Sequence, residues 1–249
     1  MQVLVYDSNG TMGKILIEEI SNNVNLKLTA GVSHYITGDE NYPAFPSLES
    51  VDVDFDVIID FSHFSLTDNL VGYALAKKKP LVIATTGLSD KQEDLIKDAS
   101  RTIPIFRAKN FSLGINLIAH LIQQAQTLLT DFDIEIIEKH HNKKVDAPSG
   151  TAFILADSLN KNDEYTYKHG RYGKASKRDK KEIGIHSLRG GTIVGEHSVI
   201  FAGTDEVIEF KHEAHSKKVF AKGSLKAAEY LIKQKNGLFN MNDLIKGGN

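Results

Sequence analysis

Apolar positions in the first hundred residues alternate between two rhythms. Val3–Tyr6 is a short apolar run, and helical spacing follows it through Ile20. Leu26–Val32, Phe55–Phe61, Pro80–Ala84 and Ile103–Arg107 are further runs of strand length. Helical segments lie between them over Leu66–Lys77 and from Ser89, a good N-cap, to about Ser100. Strands alternating with helices at this interval predict a Rossmann-like, doubly wound parallel sheet. The rhythm changes at Gly114. Ile115, Ile118, Leu121, Ile122, Ala125 and Leu129 mark one face of a long amphipathic helix that leads into a second domain. Phe132–Glu138 alternates Asp133 and Glu135 with Ile134 and Ile136, as a half-buried strand does, and Thr151–Leu159 returns to helical spacing. Ile183–Leu188, Thr192–Phe201 and Glu206–Lys211 read as an antiparallel meander turning at Arg189-Gly190-Gly191 and Gly203-Thr204-Asp205. The second domain is therefore expected to be α+β, with an open, mainly antiparallel four-stranded sheet. Lys161–Lys181, polar and lysine-rich, reads as an exposed loop, and Ser216 as the cap of a closing helix that runs to about Lys233.

Two strand-to-helix turns hold candidate chemistry. In Asp7-Ser8-Asn9-Gly10-Thr11-Met12-Gly13, Gly10 and Gly13 stand where a Gly-x-x-Gly-x-x-Gly turn would have three glycines, and Asp7 holds the first place. That pattern fits dinucleotide binding and also an ordinary strand–helix turn. Glu138–Ala152 is more distinctive. It packs His140, His141, Lys143 and Lys144 into five residues, then Asp146 and a Pro148-Ser149-Gly150-Thr151 turn. Pro148 keeps Ala147 extended, Ser149 is a good N-cap, and the N–H groups of Gly150 and Thr151 then face outward from a helix N-terminus, which favours an anion. Cations, a titratable imidazole pair and an anion cradle in one loop suit a small anionic substrate that must receive a proton.

Composition narrows the classes. The 249 residues allow one or two domains, and a net charge of −2 gives no electrostatic case for nucleic acid or a membrane surface. There is no cysteine, which removes disulfides, a thiolate nucleophile and Cys-ligated zinc and is compatible with a reducing cytosol. The N-terminus enters a strand at once without a signal-peptide pattern, and no apolar run approaches a membrane span, so a cytoplasmic protein is expected.

The segment His140-His141-Asn142-Lys143-Lys144-Val145-Asp146-Ala147-Pro148-Ser149-Gly150-Thr151 resembles the signature of the dihydrodipicolinate reductase family. Asp60-Phe61-Ser62, Ala84-Thr85-Thr86-Gly87, Lys109-Asn110-Phe111-Ser112-Leu113-Gly114, Arg189–His197 and Phe220–Gly223 are similar to its other segments, so the likeness runs through most of the chain. It is weakest over Ser33–Ser50 and Lys161–Lys181. The resemblance implies a dinucleotide-binding domain over 1–111, completed by 216–249, and a substrate-binding and oligomerisation domain over 112–215. It implies NADPH or NADH as cofactor, a small dicarboxylate as substrate and a homotetramer. Carried over by residue, it makes His140 the general acid/base and Lys144 the proton donor. His141, Gly150 and Thr151 would bind substrate. Asp7, Ser8, Asn9, Gly10, Thr11, Met12, His34, Ala84, Thr85, Thr86, Ala108, Lys109, Asn110 and Phe111 would line the cofactor site.

Other readings remain beside these. Asp146 either orients Lys144 or caps the turn, and Lys143 is a solvated charge. Adjacent residues on an extended strand face opposite sides, so His140 and His141 would not share one ion and no metal is expected. His120, His169, His186, His197 and His212 have no partners visible in the sequence and read as surface or satisfied core residues. The second strand ends in Ser33 and His34, without the acid that usually takes the adenine ribose hydroxyls, and Asp39 and Glu40 come later in a polar loop. Asp7 in a glycine's place is the one feature favouring a dinucleotide sensor without turnover.

Overall fold

The computed structural model of the protein describes residues 1–174 and 176–247. Its chain forms two compact units, Met1–Leu113 with the segment from Lys217 onward, and Gly114–Ser216.

The first unit runs β1 (Gln2–Tyr6), α1 (Thr11–Ser21), β2 (Lys27–Val32), β3 (Ala44–Phe45), β4 (Val57–Asp60), α2 (Thr67–Lys77), β5 (Leu81–Ile83), α3 (Asp90–Ala99) and β6 (Pro104–Arg107). The second contains most of α4 (Leu113–Leu128), then β7 (Asp133–His140), α5 (Gly150–Leu159), β8 (Thr166–His169), β9 (Glu182–Arg189), β10 (Gly195–Ala202) and β11 (Val207–Ala214). The chain then returns to the first unit with α6 (Lys218–Leu231), β12 (Gly237–Phe239) and α7 (Met241–Lys246).

The first sheet has the order β12-β6-β5-β4-β1-β2-β3 and every pairing in it is parallel. Its strands are apolar on both faces because each face is covered. Leu4, Tyr6, Ile58, Leu81, Ile83 and Ile105 pack with Leu70, Val71 and Ala74 of α2 and Ile96 of α3. Val3, Val5, Val57, Ile59, Val82 and Phe106 pack with Leu16 and Ile20 of α1 and Ala221, Leu225, Ala228 and Leu231 of α6. Ser89 caps α3 as expected, its hydroxyl accepting from the Gln92 N–H in a capping box. Ser216 is not the cap of the closing helix. Lys217 holds that position and makes no side-chain cap bond.

The second sheet is mixed, in the order β11-β10-β7-β9-β8. It has one strand more than the hydrophobic pattern shows, because β8 lies inside the lysine-rich stretch read as a loop. Its Thr166–His169 has only one half-buried position, so it carries little apolar signal. The meander is also interrupted. β7 sits between β9 and β10, parallel to β9 and antiparallel to β10, so Arg189-Gly190-Gly191 does not join neighbouring strands. Two basic residues of the stretch are held against the sheet: Arg171 and Arg178 pair with Glu135 at 2.9 and 3.1 Å. On the other face Ile134, Ile136, Ile183, Ile185, Val199 and Phe201 pack against Ile115 and Ile122 of α4 and Leu155 and Leu159 of α5.

Candidate functional site

Strand β7 builds the polar centre of the second unit by continuing its own alternation. The inward positions are Ile134, Ile136, Glu138 and His140, all buried, so the apolar face becomes ionic in its last two steps. Burying a carboxylate is costly unless it is paired and hydrogen-bonded. Glu138 is 0% exposed, and Arg189, from the end of the adjacent β9, grips it with both terminal nitrogens at 2.7 and 2.8 Å. The Ser149 N–H donates to it at 3.2 Å, and His140 Nδ1 lies 2.6 Å from its second oxygen. Burial alone would push this carboxyl up. The bonds from Arg189, Ser187 and His140, with the guanidinium charge, outweigh it and hold Glu138 at about 2.

An ionised Glu138 fixes the His140 tautomer: Nδ1 carries the proton, and Nε2 is left to react. A Cβ on Gly195 would stand 3.1 Å from Nε2, so glycine there keeps that nitrogen uncrowded. His140 lies below the usual histidine range, chiefly through burial. Glu138 pulls it up, and the Lys144 and Arg189 charges push it down again. The ring of His197, from β10, packs edge-on at 5.1 Å. Burial, then His140, takes His197 down to about 3, so it is neutral, and its Nε2 shares a hydrogen bond with Ser149 Oγ, 2.9 Å away. The same oxygen accepts the Ala152 N–H at 3.1 Å, which makes Ser149 the N-cap of α5, as its place before the helix predicts.

Lys144 Nζ is 2.7 Å from Asp146 Oδ1. Asp146 lies below the usual carboxylate range, first through the Lys144 hydrogen bond, with the Gly150 N–H contributing. The loop thus already binds one carboxylate, its own, between Lys144 and the start of α5. Arg189 holds the Asp146 carbonyl at 2.7 Å, which ties this arm of the loop to the guanidinium that grips Glu138. Of the other loop residues, Thr151 and His141 are half-buried, and Gly150 and Lys143 are exposed. The His141 carbonyl accepts the Lys144 N–H at 3.2 Å.

In the first unit all strands are parallel, so their carboxyl ends share one edge. Asp7–Met12 follow β1, His34 follows β2, Ala84–Thr86 follow β5 and Ala108–Phe111 follow β6, so this edge gathers them. β1 lies between β2 and β4, where the strand order reverses and ligands of such sheets bind. Gly10 stands at the cap of α1 and makes no side-chain cap bond, so it leaves the first N–H groups of that helix uncapped. A Cβ at Gly10 would collide with the Asp7 carboxylate, and one at Gly13 with the Asp7 carbonyl. This turn fits a dinucleotide pyrophosphate in its backbone. Asp7 is the discordant member: at φ 61° it keeps a glycine-like left-handed conformation. Its carboxyl is pushed up by burial and pulled back by His34. Glu40 folds back onto the turn. It accepts from Asn9 Nδ2 at 2.9 Å and from the N–H groups of Thr37 and Gly38 at 2.8 and 2.9 Å, and is held at about 2, first by Asn9 and then by Thr37.

Sequence reasoning did not find the parts of the site that come from separate strands. Glu138 could have been found, because the period-two pattern puts it on the buried face. Arg189 and His197 could not, since register alone brings Arg189 opposite His140 and His197 opposite Glu138.

Two family models match the chain, one described as dihydrodipicolinate reductase, N-terminus, over residues 1–111, and one as its C-terminus over residues 114–245. Among curated proteins, the 4-hydroxy-tetrahydrodipicolinate reductase of Caldanaerobacter subterraneus is 48% identical over 250 residues, covering 100% of this chain and 99% of the relative. That of Clostridium novyi is 44% identical over 251 residues, with coverage of 100% and 99%. The solved dipicolinate-bound dihydrodipicolinate reductase of a Paenisporosarcina species matches with a TM-score of 0.80 and 24% identity, over 97% of this chain and 98% of that one. A myo-inositol dehydrogenase from Corynebacterium glutamicum, at 13% identity, shares the fold with a TM-score of 0.62 over 99% and 92% of the two chains.

Proposed function

The chain belongs to the dihydrodipicolinate reductase family and reduces 4-hydroxy-tetrahydrodipicolinate with a nicotinamide cofactor, a step of lysine and diaminopimelate synthesis; we propose that His140 and Lys144 manage the proton of this reduction and that the start of α5 holds a substrate carboxylate. When bound, the nicotinamide supplies the hydride. Negative charge then develops elsewhere on the substrate and must be met by a proton. Lys144 carries that proton as an ammonium. His140, neutral and held at Nδ1 by Glu138, presents Nε2 as the acid/base group and gains its proton most easily beside an anionic substrate. Gly150 and Thr151 receive the carboxylate at the helix N-terminus, and His141 contacts the substrate.

The observation carrying this reading is the Asp146 carboxylate on Lys144 and the Gly150 N–H, since it supports this loop as a carboxylate site with an acid at hand. The test is a steady-state assay of NAD(P)H absorbance with substrate generated in situ, run on wild type and Lys144→Met. Turnover in the first and its near loss in the second is the expected result, whereas equal rates would move the acid elsewhere.

The cofactor is held by Asp7, Ser8, Asn9, Gly10, Thr11, Met12, His34, Ala84, Thr85, Thr86, Ala108, Lys109, Asn110 and Phe111 in the first unit. NADPH serves at least as well as NADH. His34 offers no carboxylate against a 2′-phosphate, while Glu40, ionised and folded back onto Asn9, Thr37 and Gly38, is the group that would oppose one. A strong preference for NADH in kcat/KM would overturn this. The enzyme works in the cytoplasm as a homotetramer joined through the second sheets, whose outer face leaves Leu188 and Val207 exposed at 49% and 65%; light scattering tests the tetramer.

A further inference from the structure

Asp60 closes β4 and is completely buried, yet the mechanism above does not use it. Its Oδ1 accepts the Ser62 N–H at 2.8 Å, and its Oδ2 lies 2.7 Å from Thr85 Oγ1. Thr85, itself buried, is also 2.9 Å from the Ser62 carbonyl. A hydroxyl has one proton. An ionised Asp60 would compete with the Ser62 carbonyl for that proton and leave one of the two contacts without a hydrogen. With a proton on Oδ2, Asp60 donates to Oγ1 and Thr85 donates to Ser62 O, so both contacts are hydrogen bonds.

We propose that Asp60 stands in the folded protein as a neutral carboxylic acid that donates its proton to Thr85, and so is the positioning residue that ties the β4 and β5 ends together at the cofactor edge. Its surroundings agree. The titratable groups facing it are Asp7, which is of like sign, and Tyr6, its neighbour across β1. Tyr6 is pushed up to about 12, first by burial, and stays neutral. Burial is also the main influence on Asp60 and raises it, against the hydrogen bonds of Ser62 and Thr85, which pull it down. A neutral acid spares the cofactor phosphates a fixed negative charge beside Asp7. The role assigned to this edge rests on the cofactor reading above, whereas the protonation does not.

The test compares unfolding of wild type and Asp60→Asn across pH without cofactor. A group whose folded pKa is raised gives stability that is fully present below its unfolded pKa and lost as pH rises toward the folded value. Between roughly pH 5 and 7 the unfolding constant of the wild type should therefore rise about tenfold per pH unit relative to the variant. Parallel curves mean an ionised Asp60 and overturn the proposal. If Asp60→Asn does not fold, an infrared spectrum of the wild type at neutral pH must show a protonated-carboxyl stretch, and its absence overturns the proposal equally. Cofactor titration separates the two readings. Asp60→Asn should keep the wild-type Kd within about twofold at neutral pH and lose less affinity toward alkaline pH. A tenfold weaker Kd at neutral pH would show that the charge is needed and sink the positioning role. The tenfold slope without any cofactor binding would leave the protonation standing and remove the cofactor reading.

Discussion

Asp7–Gly13 and His140–Thr151 are the same local object, a strand running through a turn into a helix N-terminus, and they are finished in opposite ways. The first has no side-chain cap at the helix end: Gly10 stands there, and the Asp7 carboxylate lies where a Cβ on it would be. The second is crowded with side chains, each held by another. Arg189 grips Glu138, Glu138 orients His140, Ser149 caps α5 and meets His197, and Asp146 holds Lys144. A turn that binds through its backbone needs close approach and little else. A turn that moves a proton needs titratable groups fixed in place, and the fold fixes them with a buried ion pair.

The sharpest way to break this contrast is to remove the proposed proton donor. Lys144→Met should lower kcat by about two to four orders of magnitude. His140→Gln should do similarly, and the pair should be non-additive in steady-state kinetics if they serve one transfer. Near-normal kcat with a raised KM in Lys144→Met would make Lys144 a carboxylate clamp. Neither change should weaken cofactor binding much, because the residues lie in the other unit.

The buried support is next. Glu138→Gln frees His140 Nδ1 from its anionic partner, and kcat should fall about a hundredfold through misorientation, with wild-type KM within a few-fold. The same carboxylate sets an acid limit. A folded pKa depressed to about 2 gives stability that is present above the unfolded value near 4.5 and lost as pH falls toward 2. His197, neutral and down at about 3, adds a loss that begins earlier, as pH falls below about 6.5. Acid unfolding followed by circular dichroism should be shallower in Glu138→Gln through the lower window alone; an unchanged slope would mean the carboxylate is not ionised in the native state.

Smaller effects belong to the groups proposed to hold ligands throughout the reaction. Thr151→Val should raise KM by about five- to tenfold and lower kcat less, as expected for one lost hydrogen bond to a carboxylate. Asp7→Gly should tighten cofactor binding by about 1 kcal/mol in a fluorescence titration. It should also stabilise the fold by about 1 kcal/mol, because a left-handed residue costs that much outside glycine. Unchanged or weaker binding would mean that the turn takes the pyrophosphate on another path.

Most of the first sheet could be read directly from the chain, because a strand buried on both faces appears as an apolar run and the helices between show their own period. The short edge strands β3 and β12, two and three residues long, could not. They exist only because a neighbour offers them hydrogen bonds. In the second unit the same limit hid β8 and put β7 between β9 and β10. Local pattern fixes which face of a strand is apolar, while pairing order depends on contacts between distant segments. The site divides in the same way. The residues proposed to react lie in one continuous loop, so that loop and the Ser149 cap were legible, and period-two alternation alone places Glu138 on the buried face. Arg189 and His197 come from other strands, and only the sheet register brings them to Glu138 and His140. The sequence by itself therefore determined which titratable groups share a turn and where that turn sits. The tertiary structure decided their protonation, because burial and a fixed opposite charge exist only once the chain is folded.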